Sequence, residues 1–165
     1  MKTNLVLIGM PGAGKSTIGA LLAKAKAFDF IDVDECIIKR YNMPLQEMID
    51  SQGVDVFLAR EVEEIMRLSV ENTVIATGGS AVLREEAMAH LTHSGHVIYL
   101  NPPLDVLAQR LTNMQSRGVA APPCATLAEV YATRKPLYHR FAEITIDNGG
   151  QSAEETVAEI LRLFP

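Results

Sequence analysis

Hydrophobic positions along this chain form two alternating patterns, short continuous apolar runs and longer stretches with helical spacing. The apolar runs fall at residues 5–8, 28–33, 74–76, 97–100 and 144–146. Most of them are rich in Val and Ile, as strands that are covered on both faces are. The stretches between them repeat apolar residues every three or four positions, as at Val62, Ile65 and Met66. This alternation predicts an α/β fold in which helices flank a parallel sheet.

Two segments interrupt the alternation. Residues 36–69 have a helical pattern and hold no strand-like run, which predicts a helical insertion over the sheet. Residues 115–125 have no periodicity and contain small residues and two prolines, which predicts a mobile loop between two helices. In a phosphoryl-transfer enzyme, such a loop is a candidate lid. The last helix is predicted to begin at a capping box, with Ser152 as the N-cap and Glu155 three residues later.

The most specific motif spans residues 9–17 and fits G-x-x-x-x-G-K-[ST], the phosphate-binding loop. It lies between the first predicted strand and a predicted helix, which is the context that the motif requires. Its glycines let the backbone turn N–H groups inward, and the helix N-terminus adds positive potential. Lys15 can reach the β- and γ-phosphates, and the Ser16 hydroxyl can bind Mg²⁺. The motif predicts binding of ATP or GTP by Gly12, Ala13, Gly14, Lys15, Ser16 and Thr17.

Two acidic residues end the second predicted strand. Strand alternation would put the side chains of Asp32 and Asp34 on one face. Ligands of parallel α/β sheets bind outside the carboxyl ends of the strands, so we expect both carboxylates near the phosphate loop. One can hold Mg²⁺ through water, and the other can accept a proton from a substrate hydroxyl. The alternative is that Asp34 caps the next helix.

A glycine pair follows the third predicted strand, within residues 77–80 (Thr-Gly-Gly-Ser). Paired glycines allow a ligand to approach the backbone closely, although a plain strand-to-helix turn is the alternative. Three arginines, Arg110, Arg117 and Arg134, are the basic candidates for ligand contacts. An arginine in a lid can stabilise charge on a transferring phosphoryl group, whereas a solvated surface charge is the alternative for each.

Composition narrows the class of protein. The chain has 165 residues, enough for one domain (1–165), and a net charge of −5 that argues against a nucleic-acid-binding surface. Its two cysteines, Cys36 and Cys124, form no metal-binding pattern and favour a reducing compartment. No apolar run approaches the roughly 20 residues of a membrane span, and the first strand leaves no room for a signal peptide. We therefore expect a cytoplasmic protein, a monomer that binds neither membrane nor nucleic acid.

Together, these motifs resemble those of the shikimate kinases. The resemblance covers nearly the whole chain and rests on residues 9–17, Asp32-Val33-Asp34, Phe57 with Glu61, Thr77-Gly78-Gly79, Arg117 and Arg134-x-Pro136-Leu137-Tyr138. It implies a three-layer fold like that of the nucleoside monophosphate kinases, with a five-stranded parallel sheet, a helical substrate-binding insertion and a lid loop. It also implies transfer of the ATP γ-phosphate to the 3-hydroxyl of shikimate, with Mg²⁺.

The resemblance further implies roles for individual residues. The catalytic residues would be Lys15 and Arg117, which contact phosphates, and Asp34, which binds and activates the acceptor hydroxyl. Mg²⁺ would be served by Ser16 and Asp32, and Arg110 would flank the adenine. The residues expected to contact the acceptor are Asp34, Phe57, Gly78, Gly79, Ser80 and Arg134.

The sequence departs from the family's pattern at three places. Leu58 stands where the family has an arginine that holds the shikimate carboxylate. Arg60 does not replace it, because two residues correspond to about 200° around a helix. Ser80 stands in place of a third glycine. Gly118 and Val119 follow the lid arginine in place of Pro-Leu.

The acceptor is therefore open at this point. An arginine–carboxylate contact contributes about 1.5–3 kcal/mol. Either Arg134 holds the shikimate carboxylate, supplemented by the Ser80 hydroxyl, or the chain phosphorylates another small hydroxy acid or polyol. A nucleoside monophosphate kinase is disfavoured, because no second base-binding element with clustered arginines is found. The alternative outside enzymes is an ATP-binding regulator without turnover.

Overall fold

The computed structural model describes residues 2–111 and 118–165. One five-stranded sheet forms its centre, and all of its strands are parallel, in the order β2-β3-β1-β4-β5. The strands are β1 (Asn4–Ile8), β2 (Asp29–Asp32), β3 (Thr73–Ala76), β4 (Gly95–Leu100) and β5 (Ile144–Ile146). Each of the five predicted runs forms a strand, which confirms the predicted α/β class.

Helices surround the sheet. They are α1 (Lys15–Lys26), α2 (Val33–Tyr41), α3 (Leu45–Gln52), α4 (Val54–Met66), α5 (Glu85–Ser94), α6 (Leu104–Arg110), α7 (Leu127–Phe141) and α8 (Ala153–Leu163), with a 3₁₀ turn at Ala81–Leu83. Helix α1 packs on β3 and on α8, while α5 and α7 contact β4. Within the part of the chain that the structure describes, no helix is long and apolar enough to cross a bilayer.

Burial along the strands follows their position in the sheet. Strands β1 and β3 are buried at every residue, and β4 at every residue but His96, because each lies inside the sheet and is covered by helices. Strand β2 lies at an edge and exposes Asp29 and Phe30. The expectation that strands are covered on both faces is therefore right for the central strands and wrong for this edge strand.

The end of β2 differs from the prediction. The strand stops at Asp32, which is the N-cap of α2: its Oδ1 accepts hydrogen bonds from the backbone N–H groups of Asp34 (3.0 Å) and Glu35 (3.3 Å). Asp34 is therefore helical, and the argument from strand alternation is wrong. The alternative that Asp34 caps the helix is also wrong, because Asp32 does so.

The predicted helical insertion is present with shifted bounds. Helices α2, α3 and α4 occupy residues 33–66 between β2 and β3, so the helical region begins three residues earlier than predicted. Helix α4 packs against both α2 and α3, which makes the insertion one packed unit. Its earlier start follows from the capping by Asp32, which turns the chain into a helix as soon as the strand ends.

The capping box at the start of α8 is confirmed. The Ser152 hydroxyl accepts a hydrogen bond from Glu155 N (3.1 Å), and Glu155 Oε2 accepts one from Ser152 N (2.7 Å). Two N–H groups that a helix start leaves without partners are thus satisfied. Helix α8 buries Val157 and Ile160 in the core and supports α1.

We expect Ser152→Ala to lower the free energy of unfolding by about 1 kcal/mol, because it removes the acceptor for the Glu155 N–H. Urea denaturation measures this change. The control is Ser51→Ala near the end of α3, where the exposed hydroxyl donates only to Glu47 O. Its effect should stay within about 0.5 kcal/mol. Equal losses in the two variants would contradict the capping role.

Candidate active site

A cavity of about 590 Å³ lies at the carboxyl edge of the sheet, where the loops after β1, β3 and β5 meet. Its wall also includes the first turn of α2, part of α4, residues 118–120 and part of α7. The predicted site residues that line it are Gly12, Gly14, Lys15, Ser16, Thr17, Asp34, Phe57, Gly78, Gly79, Ser80, Arg110 and Arg134. The structure thus brings the candidate phosphate and acceptor residues into one space.

The phosphate loop (residues 9–17) is folded tightly around the Lys15 side chain. Lys15 Nζ donates hydrogen bonds to the carbonyl oxygens of Gly9 (2.7 Å) and Met10 (2.8 Å). Gly14 is the N-cap of α1 at φ 97°, in the left-handed region that a side chain disfavours. Burial lowers the pKa of Lys15 to about 8, although the carboxylates of Asp34 and Asp32 oppose this shift. The Lys15 side chain is therefore buried against its own loop, at the wall of the cavity.

Ser16 and Asp32 form an oxygen pair behind the loop. Ser16 Oγ donates to Asp32 Oδ2 at 2.5 Å, and the other Asp32 oxygen caps α2. Asp32 does not line the cavity itself and reaches it through Ser16. A hydroxyl and a carboxylate are hard oxygen ligands of the kind that Mg²⁺ takes, usually with waters and substrate phosphates completing the shell. The pair fits that ion.

Asp34 lies in the first turn of α2 and faces the cavity. Its Oδ1 is buried and has no hydrogen-bond partner. Burial raises the pKa of Asp34 to about 6, and the nearby Asp32 carboxylate adds to this, whereas Lys15 opposes it. A carboxyl group that lines the cavity beside a phosphate loop can accept a proton from a hydroxyl group.

Glu61 lies directly beneath the glycine pair and is 1% exposed. Ser80 Oγ donates to Glu61 Oε1 at 2.9 Å, whereas Glu61 Oε2 has no partner. Burial, and next the charge of Asp34, raise the pKa of Glu61 to about 8. The Ser80 hydroxyl lines the cavity but commits its proton to Glu61. This differs from the expectation that it supplements Arg134 at a ligand carboxylate.

Arg134 and Tyr138 lie one turn apart on α7, and Arg134 lines the cavity. Arg134 is 3% exposed, and its Nη2 donates to the carbonyl oxygen of Ala120. Tyr138 OH donates to Gly79 O at 2.6 Å, which fixes the glycine pair against α7. The alternative interpretation of Arg134 as a solvated surface charge is therefore wrong, because its side chain is buried at the cavity.

Leu58 and Arg60 lie where the helical geometry of α4 predicts. Leu58 is 7% exposed, belongs to the hydrophobic core and is not part of the cavity wall. The Arg60 guanidinium stacks over the Tyr41 ring at 4.1 Å, away from the cavity. Arg60 therefore does not replace the arginine that the family carries at position 58, as expected.

The nucleotide end contains residues that the sequence analysis did not single out. Asn148 Nδ2 donates to Ala13 O at 2.8 Å, and its buried Oδ1 has no partner. Gln151 and Thr156 also line the cavity. Asn148 follows β5 at the carboxyl edge, so the rule that drew attention to Asp34 could have found it. Arg110 Nη1 donates to Gly12 O at 3.1 Å, which places it beside the phosphate loop.

The predicted lid is described only in part. Residues 115–117, which include Arg117, lie outside the described residues. Gly118, Val119 and Ala120 line the cavity, and Gly118 N donates to Gln46 Oε1 at 3.1 Å. The remainder of the predicted lid therefore touches both the helical insertion and, through Ala120, the Arg134 guanidinium. Its closure over a nucleotide stays a prediction.

We expect Gly78→Ala to destabilise the protein by about 1–3 kcal/mol, because the site beneath Gly78 is already filled. A Cβ there would lie 2.3 Å from Glu61 Oε2 and 2.9 Å from Asp34 Oδ1. The control is Gly150→Ala, because a Cβ at Gly150 would meet nothing within 4 Å. Thermal and urea unfolding of both variants measure the difference. An unchanged Gly78→Ala protein would contradict this packing.

The family model and the similar proteins of known sequence all indicate the same family. The family model described as shikimate kinase matches residues 11–164. A shikimate kinase of Neisseria gonorrhoeae is 36% identical over 161 residues, which cover 96% of this chain and 94% of that protein. A shikimate kinase of Dechloromonas aromatica is 34% identical, with 99% and 91% covered.

The fold agrees with solved structures of the same family. Shikimate kinase from Acinetobacter baumannii, solved in complex with shikimate, superposes with a TM-score of 0.90 at 29% identity, covering 99% of this chain and 93% of that one. The enzyme from Aquifex aeolicus gives a TM-score of 0.85 at 31% identity, with 98% and 95% covered. By sequence along nearly its whole length and by fold, the chain belongs to the shikimate kinase family.

Proposed function

We propose that this chain is a phosphotransferase that moves the γ-phosphoryl group of ATP to a hydroxyl group of shikimate. The observation that carries the proposal is the single cavity that joins the phosphate loop to Asp34 and Arg134. Membership of the shikimate kinase family supports it, as does the fold shared with an enzyme solved in complex with shikimate. We take residues 1–165 as one kinase domain.

The phosphate loop supplies the nucleotide end. Backbone N–H groups of residues 12–17 would cradle the phosphates, and the Lys15 ammonium would leave its loop carbonyls to meet the β- and γ-phosphates. Arg110 would flank the adenine. Ser16 and Asp32 would hold Mg²⁺, which when bound neutralises charge on the phosphates. Arg117 is proposed as a further phosphate contact from the sequence resemblance alone.

The acceptor end orients one hydroxyl group toward the phosphates. Asp34 would accept the hydroxyl proton as the acceptor oxygen forms a bond to the γ-phosphorus. The bond from that phosphorus to the bridging oxygen of ADP breaks in the same displacement, and ADP leaves with the electron pair. Phe57, Gly78, Gly79 and Ser80 would form the surface under the acceptor ring. Arg134 would bind the acceptor carboxylate.

The helical insertion and α7 connect the part of the cavity that would hold the phosphates to the part that would hold the acceptor. Arg134 donates to Ala120 O, so a carboxylate bound at Arg134 would touch the same side chain that holds residues 118–120. That arrangement supports closure of the cavity around both substrates, which excludes water from the transferring group. The monomeric state and the cytoplasmic location remain predictions.

A panel of acceptors tests the proposed function. We would measure ADP formation with shikimate, quinate, gluconate and nucleoside monophosphates side by side, with ATP and Mg²⁺. The proposal expects the highest kcat/KM for shikimate. Faster turnover of quinate or gluconate would favour the alternative of another hydroxy acid or polyol. Nucleotide binding with no ADP formed from any acceptor would favour a regulator.

Lys15→Met should reduce turnover to the background rate, because the ammonium that meets the transferring phosphate is lost. The control is Lys24→Met, an exposed position on the same helix. We expect the control to keep wild-type kcat. The fold should survive in both variants, since the change at position 15 removes a buried charge. Wild-type kcat in Lys15→Met would show that the phosphate loop is wrongly assigned.

Leu58→Arg should lower the KM for shikimate by roughly tenfold or more, with kcat in the normal range for a kinase. Positions 58 and 61 are three apart on α4, so the new guanidinium would have Glu61 as a neighbour. Leu58→Met, which conserves volume, serves as the control and should leave KM unchanged. A higher KM with damaged turnover of a less acidic acceptor would favour the alternative acceptors, because an unpaired charge would then be buried.

A further inference from the structure

Glu61 is a buried acid to which the proposed reaction gives no role. It is 1% exposed and does not line the cavity. One of its oxygens accepts the Ser80 hydroxyl proton, and the other has no partner. None of the ion pairs among residues 2–111 and 118–165 includes it. A carboxylate with one neutral hydrogen bond and no paired cation is costly to bury.

A second buried acid on the same helix shows the contrast. Glu64 is 6% exposed, and Arg40 binds it through Nε (2.5 Å) and Nη2 (3.1 Å). One of the two buried glutamates on α4, Glu64, is therefore paired with an arginine. Position 58, three residues before Glu61, holds leucine and supplies no such partner.

Glu61 and Asp34 each have a partnerless oxygen close to Gly78. A Cβ on Gly78 would lie 2.3 Å from Glu61 Oε2 and 2.9 Å from Asp34 Oδ1, so both atoms border the same small volume. Both are buried and without hydrogen bonds. Two buried acids close to each other disfavour double ionisation, and a proton that one of them donates to the other would give both oxygens a partner.

The other charges around Glu61 do not neutralise it directly. Asp34 of α2 favours its protonated form, whereas Arg134 of α7, Lys15 of α1 and the Ser80 hydroxyl favour the carboxylate. Lys15 Nζ is engaged by two loop carbonyls, and Arg134 donates to Ala120 O. Burial is the largest influence on the pKa of Glu61 and raises it to about 8.

We propose that Glu61 is a positioning residue that carries a proton on Oε2 and directs it to Asp34 Oδ1. Ser80 fixes the other Glu61 oxygen. The Asp34 carboxyl group is thereby held with one oxygen bound from below and the other free for the acceptor hydroxyl. Only this positioning effect rests on the proposed kinase reaction; that Glu61 carries a proton does not.

Stability against pH tests the proton without any activity. The folded pKa of Glu61 lies above the ordinary value of 4.5, so the folded protein takes up the proton more readily than the unfolded chain. The contribution of Glu61 is most favourable below about pH 4.5 and is lost as pH rises to about 8. Glu61→Gln stays neutral, so its melting temperature minus that of wild type should increase across this window.

The matched control is Glu64→Gln, on the same helix and equally conservative, whose pairing with Arg40 predicts a loss of stability at neutral pH. The proposal would be overturned if the melting temperature of Glu61→Gln minus that of wild type decreased from pH 4.5 to 8, because this would mean that the folded protein stabilises the Glu61 carboxylate. A titration of ¹³C-labelled glutamate carboxyls in the wild-type protein covers the case of a variant that does not fold. One carboxyl should titrate above pH 7; none doing so would overturn the proposal.

Kinetics test the positioning effect. Deprotonation of Glu61 would set two carboxylates against each other and displace Asp34, so the ratio of wild-type kcat/KM to that of Glu61→Gln should fall about tenfold between pH 7 and pH 9. The ratio cancels groups that both proteins share, Lys15 included. At pH 7, Glu61→Gln should retain activity within about threefold, because its amide donates in place of the acid, whereas Glu61→Ala should lose it.

A constant ratio would overturn the positioning role, and so would a Glu61→Gln protein that folds but is inactive at every pH. Failure of the proposed function has a separate signature. It would appear as wild-type protein that forms no ADP with shikimate at any pH, while the carboxyl titration would still decide whether Glu61 carries the proton.

Discussion

Burial of charge at the carboxyl edge of the sheet is the constraint on which the rest of the site depends. Lys15, Glu61 and Arg134 are each less than a tenth exposed, and Asp34 has a fully buried oxygen. Charged groups in such a place must be paired, hydrogen-bonded or neutralised. Lys15 and Arg134 donate hydrogen bonds to backbone carbonyl oxygens, and they can exchange these bonds for bonds to anionic substrates. Among the described residues, Glu61 accepts one hydroxyl proton from Ser80, while Glu61 Oε2 and Asp34 Oδ1 are buried without a hydrogen-bond partner.

The glycine pair makes this crowding possible. Gly78 leaves room for the oxygens of Glu61 and Asp34, and Gly79 lies against Pro11 of the phosphate loop, where a Cβ would be 2.7 Å from the proline ring. Tyr138 then fixes the Gly79 carbonyl from α7. The loop after β3 is thus packed against the phosphate loop on one side and the acceptor helices on the other. Because these contacts are close, a shift in one of them would be felt at both ends of the cavity.

Two of the departures from the family's sequence pattern, at positions 58 and 80, lie near Glu61. Leucine at position 58 withholds a cation, and serine at position 80 supplies a hydroxyl that binds Glu61 Oε1. Glu61 therefore accepts a hydrogen bond from the neutral Ser80 hydroxyl. Arg60, the nearest arginine in sequence, stacks over the Tyr41 ring instead. In the proposed function, the carboxylate of the acceptor would depend on Arg134 for its charge-assisted bond.

The sequence alone determined the five strands, the phosphate loop and its helix, the capping box of α8 and the family, because each depends on local spacing and residue type. It also brought most of the site residues together, since carboxyl ends of parallel strands meet at one edge. Tertiary structure decided what local patterns do not contain. Asp32 ended β2 as a helix cap, and β2 lay at an exposed edge. Asn148 and Ser80 found partners 135 and 19 residues away in the chain, contacts that no local pattern specifies. The buried environment of Glu61 likewise arises only when α2, α4, α7 and the glycine pair pack together, because burial and neighbouring charge are properties of the assembled site.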